Sequence, residues 1–249
     1  MLIYFIKKII KFVYQPCCVL CKKNTKDYDS LCIDCFLKVF NKYNKHSVCY
    51  KCGKMLEIKP ECVSDSLCGK CVNSKYYFEK IYFTTYYNSH VSKLLSMYKF
   101  EDKFFLYKFF TKILTMESLN INEKIDVITI VPMNYFKIIK RNYHQLYFIA
   151  KNIRKYFLNA KMYTDLLKAK YTKYNQVELS LNKRIKNAKK KFYINDKNTH
   201  LIKGKNILII EDVVTTGSSI NRCAELLIKN GAKKVIILAI TRVEGELKI

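Results

Sequence analysis

Four C-x-x-C pairs in the first 71 residues restrict this chain more than any other feature: Cys18 and Cys21, Cys32 and Cys35, Cys49 and Cys52, Cys68 and Cys71. Ten of the eleven cysteines lie before residue 72, so they are not scattered core residues. A C-x-x-C knuckle aims two thiolates at one ion, and two knuckles complete a tetrahedral site with Zn–S near ~2.3 Å. Ten residues separate the knuckles of the first half and fifteen those of the second, which suits two ribbons in tandem. A cross-brace would use the same cysteines, so the spacing leaves the pairing open. Disulfides are disfavoured in a reducing compartment, and pairs this close in sequence make poor staples. Four protein thiolates leave no position for water, so the two expected Zn²⁺ sites are structural. They fold a segment too short and polar to bury enough surface unaided. Cys17 and Cys62 are surplus, and Cys223 reads as a small buried hydrophobe on an apolar helix face.

Upstream of the knuckles, "MLIYFIKKIIKFVYQP" is apolar and basic but interrupted by Lys7 and Lys8, with no small-residue cleavage pattern after it. Leu2, Phe5, Ile6, Ile9 and Val13 share one helical face, which predicts an amphipathic helix over 1–16 ended by Pro16, expected to dock on the protein's own domain, with a weak membrane-surface role as the alternative. It is too short to span a bilayer. With no export signal and no transmembrane segment, a cytoplasmic location is expected.

Past residue 75 the cysteines give way to aromatic and then α/β sequence. Ile81, Phe83 and Thr85 alternate as a strand does, and Val91, Leu94, Leu95 and Tyr98 repeat at helical spacing. Most tyrosines here are expected in strands and core, although tyrosine beside lysine also suits base stacking. From 126 the pattern predicts strand "DVITIVP", a helix over about 134–157, strand "NILII", a helix over about 218–230 closed by Gly231, and strand "KVIILAIT". Continuous β-branched runs separated by amphipathic helices imply a parallel sheet covered on both faces.

Ligands of such sheets gather at the carboxyl ends of the strands. There the chain reads "NILIIEDVVTTGSS", residues 206–219. Thr215, Thr216, Gly217, Ser218 and Ser219 offer hydroxyls and open backbone N–H groups at a helix start, an environment suited to phosphate. Gly217 permits a backbone path that a side chain would obstruct. Glu211 and Asp212 cannot bind that phosphate, so they are expected to grip a hydroxyl-rich group attached to it. A ribose 5-phosphate satisfies both demands.

The string Glu211, Asp212, Val213, Val214, Thr215, Thr216, Gly217, Ser218, Ser219 resembles the phosphoribosyl pyrophosphate signature of type I phosphoribosyltransferases. "VPMNYFKIIKRNYHQLYFIA" (131–150) and "NQVELSLNKRIKNAKKKF" (175–192) resemble two further segments of the ComF family, whose layout also includes a short helix and a double zinc ribbon. Lys99 takes the place of a family lysine. Where that family has R-G-F-N-Q, this chain reads Arg141, Asn142, Tyr143, His144, Gln145; Asn tolerates a left-handed backbone, and His144 is expected beside the pocket. The resemblance implies a phosphoribosyltransferase-like domain over 76–249 after a double zinc ribbon over 17–75. It implies a pocket for phosphoribosyl pyrophosphate with Mg²⁺, Lys99, Arg141 and Gln145 serving it, and Gln176, Arg184 and Asn187 on a mobile loop above.

The charge of +26 comes from 46 Lys and Arg against 20 Asp and Glu, with 41 of the basic residues lysine. That imbalance fits a polyanion partner and equally a lysine-rich codon bias. Residues 168–191 hold nine Lys or Arg and one acid, which reads as a solvated loop or as an arm tracking the DNA backbone. The resemblance favours single-stranded DNA or DNA-handling proteins, in an accessory role in DNA uptake and processing during natural transformation. Two other readings are an active phosphoribosyltransferase releasing pyrophosphate to an unidentified acceptor, and a zinc-ribbon interaction module with a vestigial pocket. An oligomer is compatible with all three.

Overall fold

The computed structural model describes residues 17–25, 30–40, 47–56, 66–141, 143–170, 191–245 and 247. The segment 1–16, Cys62, Asn142 and the run 171–190, with Gln176, Arg184 and Asn187, lie outside the described residues.

Short pieces build the cysteine-rich part. Helix α1 (Ile33–Val39) starts directly after Cys32 and buries Cys35. Strands β1 (Ser47–Val48) and β2 (Met55–Leu56) pair antiparallel on either side of Cys49 and Cys52. Helix α2 (Gly69–Asn73) starts directly after Cys68 and buries Cys71. The second and fourth knuckles therefore use a helix start to bring sulfurs three residues apart onto one side. The first and third use a turn: Lys22 (φ 64°) and Gly53 (φ 67°) follow their second cysteine in the left-handed region and donate back to Cys18 O and Cys49 O.

Next come β3 (Ile81–Tyr86), α3 (Ser89–Phe100), α4 (Leu106–Ser118), β4 (Val127–Ile130), α5 (Tyr135–Arg141) and α6 (Gln145–Ile153). They are followed by β5 (Lys161–Met162), β6 (Leu167–Ala169), β7 (Phe192–Ile194), β8 (Asn206–Val214), α7 (Ser218–Lys229) and β9 (Lys234–Arg242). Asn88 caps α3, its side chain accepting from the N–H groups of His90 and Val91. Asn230 and Gly231 (φ 90°) end α7 as the sequence predicts.

Five strands form one parallel sheet in the order β3-β9-β8-β4-β5. Alternation within the apolar runs explains why they are continuous: Ile128, Leu208, Ile236 and Leu238 face a first core, and Val127, Ile207, Ile209 and Ile237 face a second. Helices α3, α4 and α6 cover the first core together with Cys18, Cys35 and Val39. The second is covered by α7, the antiparallel ribbon β6–β7 and the cysteines Cys49, Cys52, Cys68 and Cys71. Tyr76, Tyr82, Tyr86 and Tyr98 are buried, as expected for the aromatic stretch. Among the described residues no helix is long and apolar enough to cross a membrane.

One helix differs from expectation. The predicted helix over about 134–157 is broken into α5, α6 and a 3-10 turn, Arg154–Tyr156. His144 sits in extended conformation (φ −88°, ψ 112°) and its ring accepts the Leu146 N–H, so it caps a new helix. The break is what turns Gln145 toward the end of β8.

Candidate functional site

The carboxyl end of β8 departs from regular strand geometry where the acids begin. Pairing with β9 passes from Glu211–Ala239 to Val213–Thr241, and pairing between β3 and β9 passes from Phe83–Ala239 to Thr85–Thr241. Beyond that level the phase of the sheet has shifted: Val213 packs on the first core, while Val214 and Tyr86 enter the second. Glu211 Oε1 accepts the Asp212 N–H at 2.9 Å and Asp212 Oδ1 accepts the Val213 N–H at 2.7 Å. Both carboxylates are thereby folded over the strand end.

Asp212 is the hub of the polar groups here. Its Oδ2 receives Lys99 Nζ of α3 at 2.5 Å and a hydrogen bond from Gln145 Nε2 of α6. Arg141 at the end of α5 donates to Gln145 Oε1, and its guanidinium lies over the Phe100 ring at 4.9 Å. Burial alone would raise the Asp212 carboxyl, but the Lys99 ammonium overrides it and holds the pKa at about 2. Burial pushes Glu211 well above the usual carboxylate range, and the charge on Asp212 adds to that. The two carboxyls therefore titrate apart, Asp212 losing its proton first and Glu211 holding on to its own. Burial lowers His144 to about 4, so its ring is neutral beside this centre.

The bend that follows opens a helix from the left-handed region. Gly217 (φ 77°) caps α7 from the left-handed region, and a Cβ there would sit 3.0 Å from Leu247 Cδ2. Thr216 Oγ1 lies 2.8 Å from Ser218 Oγ, and the Gly217 carbonyl takes the Asn221 N–H at 2.8 Å. Thr215 is exposed, Thr216 and Ser219 half-buried. The structure thus brings Lys99, Arg141, Gln145, Asp212 and the bend to one strand end. Val213 and Val214 contribute backbone there; the Val214 side chain is buried and that of Val213 partly so.

The eight paired cysteines converge as two tetrads, Cys18, Cys21, Cys32, Cys35 and Cys49, Cys52, Cys68, Cys71, with the sulfurs of each within 4.8 Å of one another. That arrangement is the tandem one. Cys21 and Cys32 sulfurs are 3.6 Å apart, Cys52 and Cys68 sulfurs 3.7 Å. Tetrahedral Zn–S bonds of ~2.3 Å require S···S separations of about 3.8 Å, so the donor sets fit such an ion. The Cys68 N–H points at Cys49 Sγ (3.3 Å), the amide-to-sulfur bond that stabilises a thiolate. Cys17 stands outside the first tetrad, and Cys223 is buried on α7, where burial pushes its thiol up.

Several contributors escaped the sequence reading. Tyr98 donates to Gln145 O at 2.5 Å, and Tyr143 in turn donates to Tyr98 O, so two hydroxyls fix the backbone that carries Gln145. The cue was a tyrosine at a core position next to Lys99, whose hydroxyl must find a partner when buried. Leu247 and Arg242 carried no motif at all.

A parallel sheet with a carboxylate pair and a glycine-centred bend at the end of one strand defines a class of protein. The chain belongs to the phosphoribosyl transferase domain family, which matches residues 119–247. Over most of its length it is similar to Competence protein F of Haemophilus influenzae, 24% identical over 215 residues that cover 80% of this chain and 91% of that one. It is also similar to DNA utilization protein YhgH of Escherichia coli K12, 23% identical over 201 residues covering 79% and 84%. A stretch of 38 residues, 15% of this chain and 14% of the other, is 53% identical to Ribose-phosphate pyrophosphokinase of Thermococcus kodakarensis. The ComF resemblance is thus borne out along the chain.

Proposed function

We propose that the protein binds a ligand built on ribose 5-phosphate, phosphoribosyl pyrophosphate foremost, and acts as an accessory factor in the uptake and processing of DNA in the cytoplasm. The observation that supports this most is the strand end, where Asp212 is supplied with donors beside an amide-rich bend. Lys99 and Gln145 occupy the positions that a diol's hydroxyls would take on Asp212. When the diol replaces them, the cations Lys99 and Arg141 are released toward the pyrophosphate, and Thr215 to Ser219 take the 5-phosphate. Mg²⁺ suits this site as a hard cation beside Glu211 and Asp212, and it would offset pyrophosphate charge. The basic run 168–191 and the DNA-related names of two relatives support single-stranded DNA or DNA-handling proteins as partners.

The reading divides the chain into a double zinc ribbon (17–75) and a phosphoribosyltransferase-like domain (76–249), with Zn²⁺ in both tetrads. Calorimetric titration with phosphoribosyl pyrophosphate and Mg²⁺, and separately with ribose 5-phosphate, tests it. Binding of both is expected, weakened about tenfold or more in Asp212→Asn, since a hydrogen bond to a charged group is worth about 1.5–3 kcal/mol. Undiminished binding by that variant would remove the site assignment. Adding single-stranded oligonucleotide at two salt concentrations tests the DNA partner, whose affinity should fall steeply with salt.

A further inference from the structure

At the end of β9 an arginine is sealed in the interior. Arg242 has no exposed surface. Its Nη1 donates to Val243 O at 2.9 Å and its Nη2 to Gly245 O at 2.6 Å; Nη2 also lies 3.9 Å from Cys52 Sγ, and Nε is buried without a partner. Among the described residues no carboxylate pairs with it, and Glu244, two residues on, is exposed. Two carbonyl dipoles do not neutralise a guanidinium, and a buried charge requires an anion close by.

The group beside it that can supply one is the second tetrad. As thiols, Cys49, Cys52, Cys68 and Cys71 are neutral; holding a divalent metal as four thiolates, they carry a net charge of about minus two. We infer that Arg242 is the counter-ion of the second cysteine site and that, through the same side chain, metal occupancy governs how the phosphate-binding bend is covered. This coupling rests on the sugar-phosphate reading for its functional meaning, but not for its structural one.

The path is short. The two carbonyls that Arg242 holds belong to Val243 and Gly245. The Val243 N–H donates to Val214 O at 2.8 Å, and Leu247 is buried against Gly217. The metal-site side of Arg242 is equally fixed: Tyr86 Oη donates to Gly53 O at 2.7 Å, so the third knuckle is tied to β3 beside the guanidinium. A second tie flanks the bend from the other direction, where the Tyr77 N–H, shortly after the fourth knuckle, donates to Asn221 Oδ1 of α7 at 2.8 Å. Loss of the metal removes the anion, Arg242 then requires hydration, and the carbonyls of Val243 and Gly245 lose their anchor, which loosens Leu247 on Gly217. The responding element is 243–245 with the Leu247 side chain, and both sites bias it.

The experiment uses the full chain loaded with zinc. Arg242→Met removes the charge and Arg242→Lys keeps it without the planar fork. Competition with a chromogenic chelator should show one of the two zinc ions bound at least about tenfold more weakly in Arg242→Met and the other unchanged, with Arg242→Lys restoring most of the loss. Hydrogen exchange should show 213–219 and 243–245 losing protection together, both in Arg242→Met and in the parent stripped of zinc. Leu247→Ala should expose 213–219 while leaving both zinc affinities as they were, which separates the Leu247 contact from the metal.

Should Arg242→Met fail to fold, Arg242→Lys carries the test: one zinc should be held measurably more weakly than in the parent and the other equally. Equal zinc affinities in the parent and Arg242→Met, or protection at 213–219 that ignores zinc, would overturn the coupling. If the parent fails to bind ribose 5-phosphate, the sugar-phosphate reading falls while the zinc and exchange results still decide the inference.

Discussion

The two cysteine tetrads share a motif and differ in everything that surrounds it. In the first, Cys21 is exposed and Cys32 half-buried, and the group reaches the sheet mainly through α1, whose Val39 carbonyl accepts from Thr85 Oγ1 and Asn88 Nδ2. In the second all four cysteines are buried, and the surrounding chain is fastened to β3, β9 and α7. The first tetrad sits at the rim of the first core, with Cys18 and Cys35 buried in it and Cys21 at the surface; the second is buried whole beneath the strand end. Duplicated motifs therefore need not carry equal energetic weight.

The largest effect should come from removing one sulfur from each. Structural zinc supplies apparent free energies of about 10–16 kcal/mol in small fingers, and only part of that survives the loss of a ligand. Cys52→Ser is expected to cost about 5 kcal/mol or prevent folding, and Cys21→Ser about 2 kcal/mol with the sheet intact, read from urea unfolding beside zinc content. Equal losses would break the comparison. Next in size is a glycine pair. At Gly53 the backbone is left-handed and a Cβ would sit 2.2 Å from Phe83 Cε1, so Gly53→Ala should cost about 3 kcal/mol. At Gly69 the space is open and the backbone helical, so Gly69→Ala should be neutral or gain about 0.5 kcal/mol. Smaller again is a kinetic difference: a chelator should remove the metal of the exposed tetrad about tenfold faster, followed by absorbance of the released ion complex.

The sequence announced the four knuckles, the parallel sheet and the strand end, because each is a local pattern: spacing, β-branched runs, a bend flanked by acids and hydroxyls. Knuckle pairing was not legible, since tandem and crossed arrangements use identical residues. Neither was the break before Gln145. The apolar periodicity of 134–157 runs straight through it, and only the capping ring of His144 marks it. Arg242 was invisible for a different reason: a charged residue ending an apolar strand usually faces water, and its burial sets it beside Cys52, distant in sequence. Long-range contacts set the partners of buried charges, and local patterns do not contain them.

The smallest effect concerns the acids, whose carboxyl groups lie against each other at the strand end but meet different neighbours on either side. Asp212 meets Lys99 and Gln145 from the helices of the first core, and Glu211 bears on Cys223 in the second. The signs are opposite. Asp212 is held near 2, below its unfolded value of about 3.9, so its contribution to stability is present above about pH 4 and is lost as pH falls toward 2. Glu211 is raised by burial and by its neighbour's charge. Its contribution is therefore complete below about pH 4 and declines as pH rises, by at most about 1.4 kcal/mol per pH unit. Stability measured by urea unfolding, as the difference between parent and variant so that metal release cancels, should show Glu211→Gln flattening the decline above about pH 4. Asp212→Asn should flatten the acid side. If Glu211→Gln leaves that decline unchanged, burial does not hold the proton on Glu211, and the two acids do not differ in the way their surroundings imply.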